Sequence, residues 1–241
     1  MTGPVAAQGS RREELAAGLA AVRQRVERAC AASGRRPEEL ELIAVTKFFP
    51  ASDADLLAEL GVRHIGENRH QEAVEKVDQL RHRDLLTVHF IGQLQTNKAA
   101  AVAAYADVVQ SVDRLRLVNA LQKGAHRAGR RLGVLVQVSL DEHDHEGRAG
   151  ASPGDAPLVA DAVAQAPDLD LLGVMAVAPL GGDPAPAFAR LREVAHGIQA
   201  VHPGATWVSA GMSADLEAAI AHGATHLRVG SAILGSRPSL R

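Results

Sequence analysis

A single cysteine, Cys30, leaves the chain no partner for an intramolecular disulfide. Cys30 sits in an Arg/Glu/Ala-rich helical stretch without a catalytic signature nearby and reads as an ordinary helix residue. Only six aromatic residues occur (four Phe, one Trp, one Tyr), too few for a surface that stacks nucleic-acid bases. Net charge is −2, which gives no electrostatic case for nucleic acid or an anionic membrane. Apolar runs fall far short of the ~20 residues a spanning helix needs, and "MTGPVAAQGSRREE" has no basic segment followed by an apolar core. A cytoplasmic protein is expected. Lysine is also scarce: Lys47, Lys76, Lys98 and Lys123 stand against 22 arginines, so the placement of each carries information.

The chain holds 241 residues, 46% hydrophobic and 22% charged, an ordinary globular balance. Residues 1–10 read as a disordered tail. Over 11–33, Leu15, Leu19, Val22, Val26 and Ala29 recur at spacings of three and four, predicting an amphipathic helix that "SGRRP" ends. Strand and helix patterns then alternate. Strands are expected at 42–46, 62–65, 87–91, 107–111, 134–139, 171–177, 206–209 and 226–229, with helices at 53–60, 68–81, 97–104, 113–128, 156–165, 185–201 and 213–222. Eight such units predict an α/β protein, a (β/α)8 TIM-like barrel with one extra N-terminal helix, occupying 11–241 as one domain. The competing open doubly wound sheet lacks support, because no glycine-rich dinucleotide loop follows any strand.

Barrel active sites lie at the carboxyl ends of the strands. Lys76 and Lys123 fall within helical patterns and read as solvated, and Lys98 lies near a helix start. Only Lys47, in "LIAVTKFFP", terminates a strand. Three roles fit it: a structural ion pair, a point charge for phosphate, or a Schiff-base amine made nucleophilic by apolar walls. The segment "SAGMSADLEAAIAHGATHLRVGSAILG" (209–235) adds a second signal. Ser209, Gly211 and Ser213 precede a helix, and Gly230 and Ser231 follow the last strand. Loops after strands seven and eight form a recurring phosphate cradle in barrels. The plain alternative makes Ser213 an N-cap and Gly230 a turn residue. Alternation in "HLRVGS" aims Arg228 inward, where it faces either an interior ion partner or the ring nitrogen of a bound pyridoxal phosphate. In "HDH", His143 and His145 are two apart in a polar loop, not the spacing of an ordered ligand set, and no metal is expected.

"VTKFFP", "GVRHIGENRHQE", "VHFIGQLQTNK", "LLGVMAVAP" and "SAGMSADLEAAIAHGATHLRVGSAILGSR" together resemble the pyridoxal phosphate homeostasis protein family, from about residue 10 to 237. The resemblance implies a TIM-like barrel similar to the N-terminal domain of alanine racemase, with pyridoxal 5′-phosphate (PLP) in a fold-type III site. It implies a Schiff base on Lys47, Asn68 and His89 beside the cofactor and Met175 in the pocket. Ser209, Gly211, Met212, Gly230 and Ser231 would hold the phosphate, with Arg228 at the pyridine nitrogen. Phe48, Val88 and Ser231 depart from residues common in the family, as does "GRAG" at 147–150, where many members carry a lysine.

The family is described as carrying PLP or regulating vitamin B6 and amino-acid pools, so a non-enzymatic monomer is expected. Its partners would be PLP, other B6 vitamers or amino acids, and protein acceptors of PLP. The alternatives are a PLP-dependent racemase-like enzyme and a cofactor-free Schiff-base aldolase. A racemase needs an acid/base on each face of the substrate carbon. The one tyrosine, Tyr105, just precedes strand four, which puts it at the barrel end opposite Lys47, and no residues remain for a second domain.

Overall fold

In the computed structural model, which describes residues 4–141, 149–179 and 181–236 (side chains from residue 10), apolar periodicity turns into buried faces. Helix α1 (Pro4–Ala32) buries Leu15, Leu19, Val22, Ala29 and Cys30. It starts at Pro4, not at 11: proline is suited to the first helical position, and the alanines that follow favour helix despite Gly9. Eight short strands follow: β1 (Glu41–Val45), β2 (His64–Glu67), β3 (Thr87–Phe90), β4 (Val108–Val112), β5 (Leu132–Gln137), β6 (Leu169–Met175), β7 (Trp207–Ser209) and β8 (His226–Val229). Between and after them come α2 (Ala51–Glu59), α3 (His70–Gln79), α4 (Ala99–Ala103), α5 (Leu115–Ala128), α6 (Ala156–Ala164), α7 (Ala185–Val201), α8 (Leu216–Ala221) and α9 (Ser231–Leu234).

Each strand pairs in parallel with the next, and β8 pairs with β1 through Glu41↔His226 to Ala44↔Val229, so the sheet closes into the expected barrel. The chain is a (β/α)8 barrel with an N-terminal helix packed outside. β2 begins two residues later than the sequence suggests. Val62 belongs to the end of α2, where Gly61 turns at φ 87° and the Val62 amide donates to Leu57 O at 2.9 Å.

Most of the core lies between barrel wall and helices; a smaller interior cluster joins Val108, Leu135 and Met175, packed by Leu172 and Trp207. α1 packs on α8 and α9. A Cβ at Gly18 would lie 2.5 Å from Ile233 O, so glycine allows α1 and α9 to cross closely. Arginines of α1 tie down this side: Arg11 donates to Asp53 (2.7 Å) and Leu234 O (3.0 Å), and Arg25 donates to Glu217 (2.9 Å) and Ser213 O (3.0 Å). Among the described residues no helix is long and apolar enough to cross a membrane. His143, Asp144, His145 and Arg148 lie outside the described residues.

Candidate functional site

β1 buries Ile43, Ala44 and Val45, and Thr46 continues the ladder by donating its amide to Gly66 O at 3.1 Å. Its hydroxyl donates to Glu67 Oε1 at 2.5 Å, and its carbonyl accepts from Lys76 Nζ at 2.6 Å. Lys76 also meets Glu67 Oε1 at 2.5 Å, with both side chains buried. Lys76 is therefore not solvated. It lies three residues after buried Ala73 and one before Val77, on the inner face of α3, and its charge is matched by Glu67. This buried pair anchors the end of β1 directly before Lys47. The signal was present in β2, where Glu67 shares the outward face of buried Ile65.

Lys47 is half-buried, its Nζ 5.9 Å from the centroid of the Phe48 ring. Phe48 adopts φ 71°, a left-handed conformation that is strained for a residue with a bulky side chain. Lys47 and Phe48 line an open cleft of about 340 Å³ with Met212, Ser213, Arg228, Gly230 and Ser231. A second cleft, about 320 Å³, opens among Arg23, Glu38, Glu41 and Arg63 at the opposite mouth. It holds none of the strand-end residues singled out above, so side-chain chemistry, not size, selects the first.

Arg228 is 4% exposed. Its Nη1 donates to Ser209 Oγ and its Nη2 to Ala176 O, each at 2.8 Å. Burial lowers its pKa to about 10, which leaves the guanidinium charged at neutral pH. Ser209 is fully buried, and its Oγ donates to Gln110 Oε1 at 2.7 Å. The geometry thus gives Ser209 a task in the barrel interior, while Ser213 and Ser231 supply hydroxyls on the cleft wall. The Met212 amide donates to Asp215 Oδ1 at 2.6 Å, which folds the loop after β7. Gly211, at φ 90°, packs behind that loop against Ala219 and Leu227. The first amides of α9, at Ser231 and Ala232, are not used by the helix's own bonding pattern.

The remaining expected residues lie off this wall. Asn68 follows β2, half-buried, and Gly92 approaches its carbonyl so closely that a Cβ there would lie 2.0 Å away. His89 is fully buried in the interior, between His64 and Gln110. Met175 packs with Val108 and Leu135. Tyr105 stacks on His70 with centroids 5.8 Å apart in the layer between wall and helices, where burial and Glu67 raise its pKa. Gln110 and His64, both on inward positions, were not anticipated; their polar character on interior strand faces was the available signal. His226 shares the inward face of Arg228, as the alternation of β8 implies.

A closed parallel barrel with a lysine just past its first strand, facing the turn after its last, defines the class built on the alanine racemase N-terminal domain. The family model of that description matches residues 18–238. The chain is 41% identical over 98% of its length, and 98% of the relative's, to a pyridoxal phosphate homeostasis protein of Mycobacterium bovis. It is 38% identical to the protein of that name from Escherichia coli K12, over 93% and 97% of the two chains. The chain belongs to the pyridoxal phosphate homeostasis protein family. Among solved structures, PipY of Synechococcus elongatus with PLP bound superposes with a TM-score of 0.79 at 34% identity, covering 92% of this chain and 100% of that one. Alanine racemase of Corynebacterium glutamicum, at 15% identity and a TM-score of 0.69, shares the fold; 95% of this chain and 63% of that one are covered.

Proposed function

We propose that this chain binds PLP in the Lys47 cleft and serves vitamin B6 homeostasis as a carrier, not as an efficient enzyme. One observation carries the reading. Lys47 after β1 and Arg228 with the Gly230–Ser231 turn at β8 line the same cleft, although about three-quarters of the chain separates them. The residues present fit the cofactor. An amine stands on one wall, a small-residue turn opens a helix on another, and an inward guanidinium forms the floor.

Bound there, PLP supplies an aldehyde that condenses with amines and a ring that delocalises negative charge. Lys47 would anchor the aldehyde carbon, and Ser213, Ser231 and the first amides of α9 would face the phosphate. Arg228 would donate to the pyridine nitrogen. Arginine has no proton acceptor, so it would keep that nitrogen unprotonated and weaken the ring as an electron sink. Asn68, His89, Met175, Ser209, Gly211 and Met212 would support these contacts from around the cleft.

A racemase requires a second acid/base across the substrate carbon. Tyr105, packed on His70 outside the barrel interior, is not placed to be one. On this reading the chain is a single-domain, monomeric carrier that passes PLP to acceptor proteins, with other B6 vitamers and amino acids as further ligands.

Borohydride reduction of the PLP-loaded protein followed by peptide mapping is expected to place the pyridoxyl label on Lys47, and Lys47→Ala to lose it together with the visible absorbance. A label on Lys98 or Lys123, or none, overturns the proposal. Rapid loss of optical activity with enantiopure alanine would restore the racemase reading.

A further inference from the structure

Barrel interiors are ordinarily filled by branched apolar side chains. Here one side of the interior is a line of hydrogen bonds. Arg228 Nη1 donates to Ser209 Oγ (2.8 Å) and Ser209 Oγ donates to Gln110 Oε1 (2.7 Å). Gln110 Nε2 lies 2.9 Å from His89 Nδ1, and His89 Nε2 lies 2.9 Å from His64 Nδ1. Finally His64 Nε2 lies 3.7 Å from Glu41 Oε2 at the opposite mouth. Ser209, Gln110, His89 and Arg228 are all buried.

The direction of this line is dictated from its upper end. An arginine can only donate, so Ser209 accepts from it and must direct its one proton to Gln110. The Gln110 oxygen is thereby turned toward Ser209 and its NH2 toward His89. His89 Nδ1 must then be a lone pair, its proton must sit on Nε2, and His64 must accept at Nδ1 and carry its own proton on Nε2. Burial beside His64 and His226 disfavours charge on His89, in keeping with a ring that receives the Gln110 proton.

We propose that Gln110 is a positioning residue whose amide sets a one-way hydrogen-bonded chain across the barrel and so holds the Arg228 guanidinium in register with the cofactor's ring nitrogen. The proposal rests on the assignment of Arg228 made above. Without Gln110, Ser209 is free to rotate, and Arg228 keeps only its bond to Ala176 O as a fixed reference.

The chain can be read in the protein without PLP. Nitrogen-15 NMR is expected to show His89 and His64 both as Nε2–H tautomers; an Nδ1–H signal on wild-type His89 overturns the proposal. In Gln110→Glu the carboxylate accepts on both sides, so both rings should switch to Nδ1–H. Unchanged tautomers there would show that the amide does not set the direction. In Gln110→Leu, PLP affinity should fall about ten-fold, the worth of one hydrogen bond. Affinity for the 1-deaza analogue of PLP, which has no ring nitrogen to meet, should stay within two-fold. Equal losses for both ligands would mean that Gln110 merely supports the fold, and overturn its positioning role. Ser209→Ala, a smaller change, should reproduce the same discrimination. Failure of the Lys47 labelling described above would remove the target of the guanidinium while leaving the apo tautomers as stated, so the two failures are distinguishable.

Discussion

Gly211 shows how much one missing side chain can decide. Its backbone sits at φ 90°, and a Cβ there would lie 2.6 Å from Ala219 Cβ and 3.1 Å from Leu227 Cδ2. Gly211→Ala therefore combines a left-handed penalty of ~1–2 kcal/mol with overpacking of ~1–3 kcal/mol. A loss of about 3 kcal/mol is expected, seen as a Tm lower by roughly 6–12 °C, with weaker PLP binding because the loop after β7 must shift. The interior histidines predict a pH dependence. Burial first, then neighbouring histidines, lowers the pKa of His89 well below the ordinary value and that of His226 to about 3. A lowered folded-state pKa means the folded protein resists protonation while the unfolded chain accepts it near pH 6.5. The stabilisation is present above that pH and lost as pH falls toward the folded pKa. The His226 ring should cost about 2 kcal/mol at pH 5, and His89 acts in the same direction. Urea denaturation from pH 7 to 5 should show a decline that His226→Gln makes shallower.

At the scale of elements, the Gly18 crossing couples α1 to α9 and hence to the Ser231 side of the cleft. Gly18→Val should destabilise the fold by ~1–3 kcal/mol and weaken PLP binding. Gly197 in α7 has nothing within 4 Å of a built Cβ, so Gly197→Ala should stabilise by up to ~1 kcal/mol without touching binding. Paired thermal melts and PLP titrations separate the two outcomes. Elements long enough to show a period were legible in the sequence: α1 and α7 by their apolar spacing, β8 by its alternation. Four-residue α9 was not, because one turn carries no period. β2 was displaced because a buried valine that caps a helix looks the same in sequence as one that starts a strand. Lys76 was misjudged for a related reason: its partner Glu67 lies in a different element, and a helical lysine normally faces water.

For the whole molecule, the order of strands and the residues at their carboxyl ends were readable, since both follow from the alternation of elements. Lys47, Arg228, Met212, Gly230 and Ser231 accordingly meet at one cleft. The interior line through Gln110, His89 and His64 was not readable, because it depends on the stagger between neighbouring strands, which the alternation of elements does not give. Closure of the barrel also governs when the site exists. β1 and β8 meet edge to edge, and the cleft straddles that seam. A partly formed barrel with the seam open has no cleft at all. A ligand gripping Lys47 on one bank and the Ser231 turn on the other is then a clasp, worth ~2.7 kcal/mol at one hundred times its Kd, and all of it acts on the closed state. Cofactor occupancy becomes a measure of completed folding, with the slowest amide exchange on loading expected along the two strands that the clasp joins.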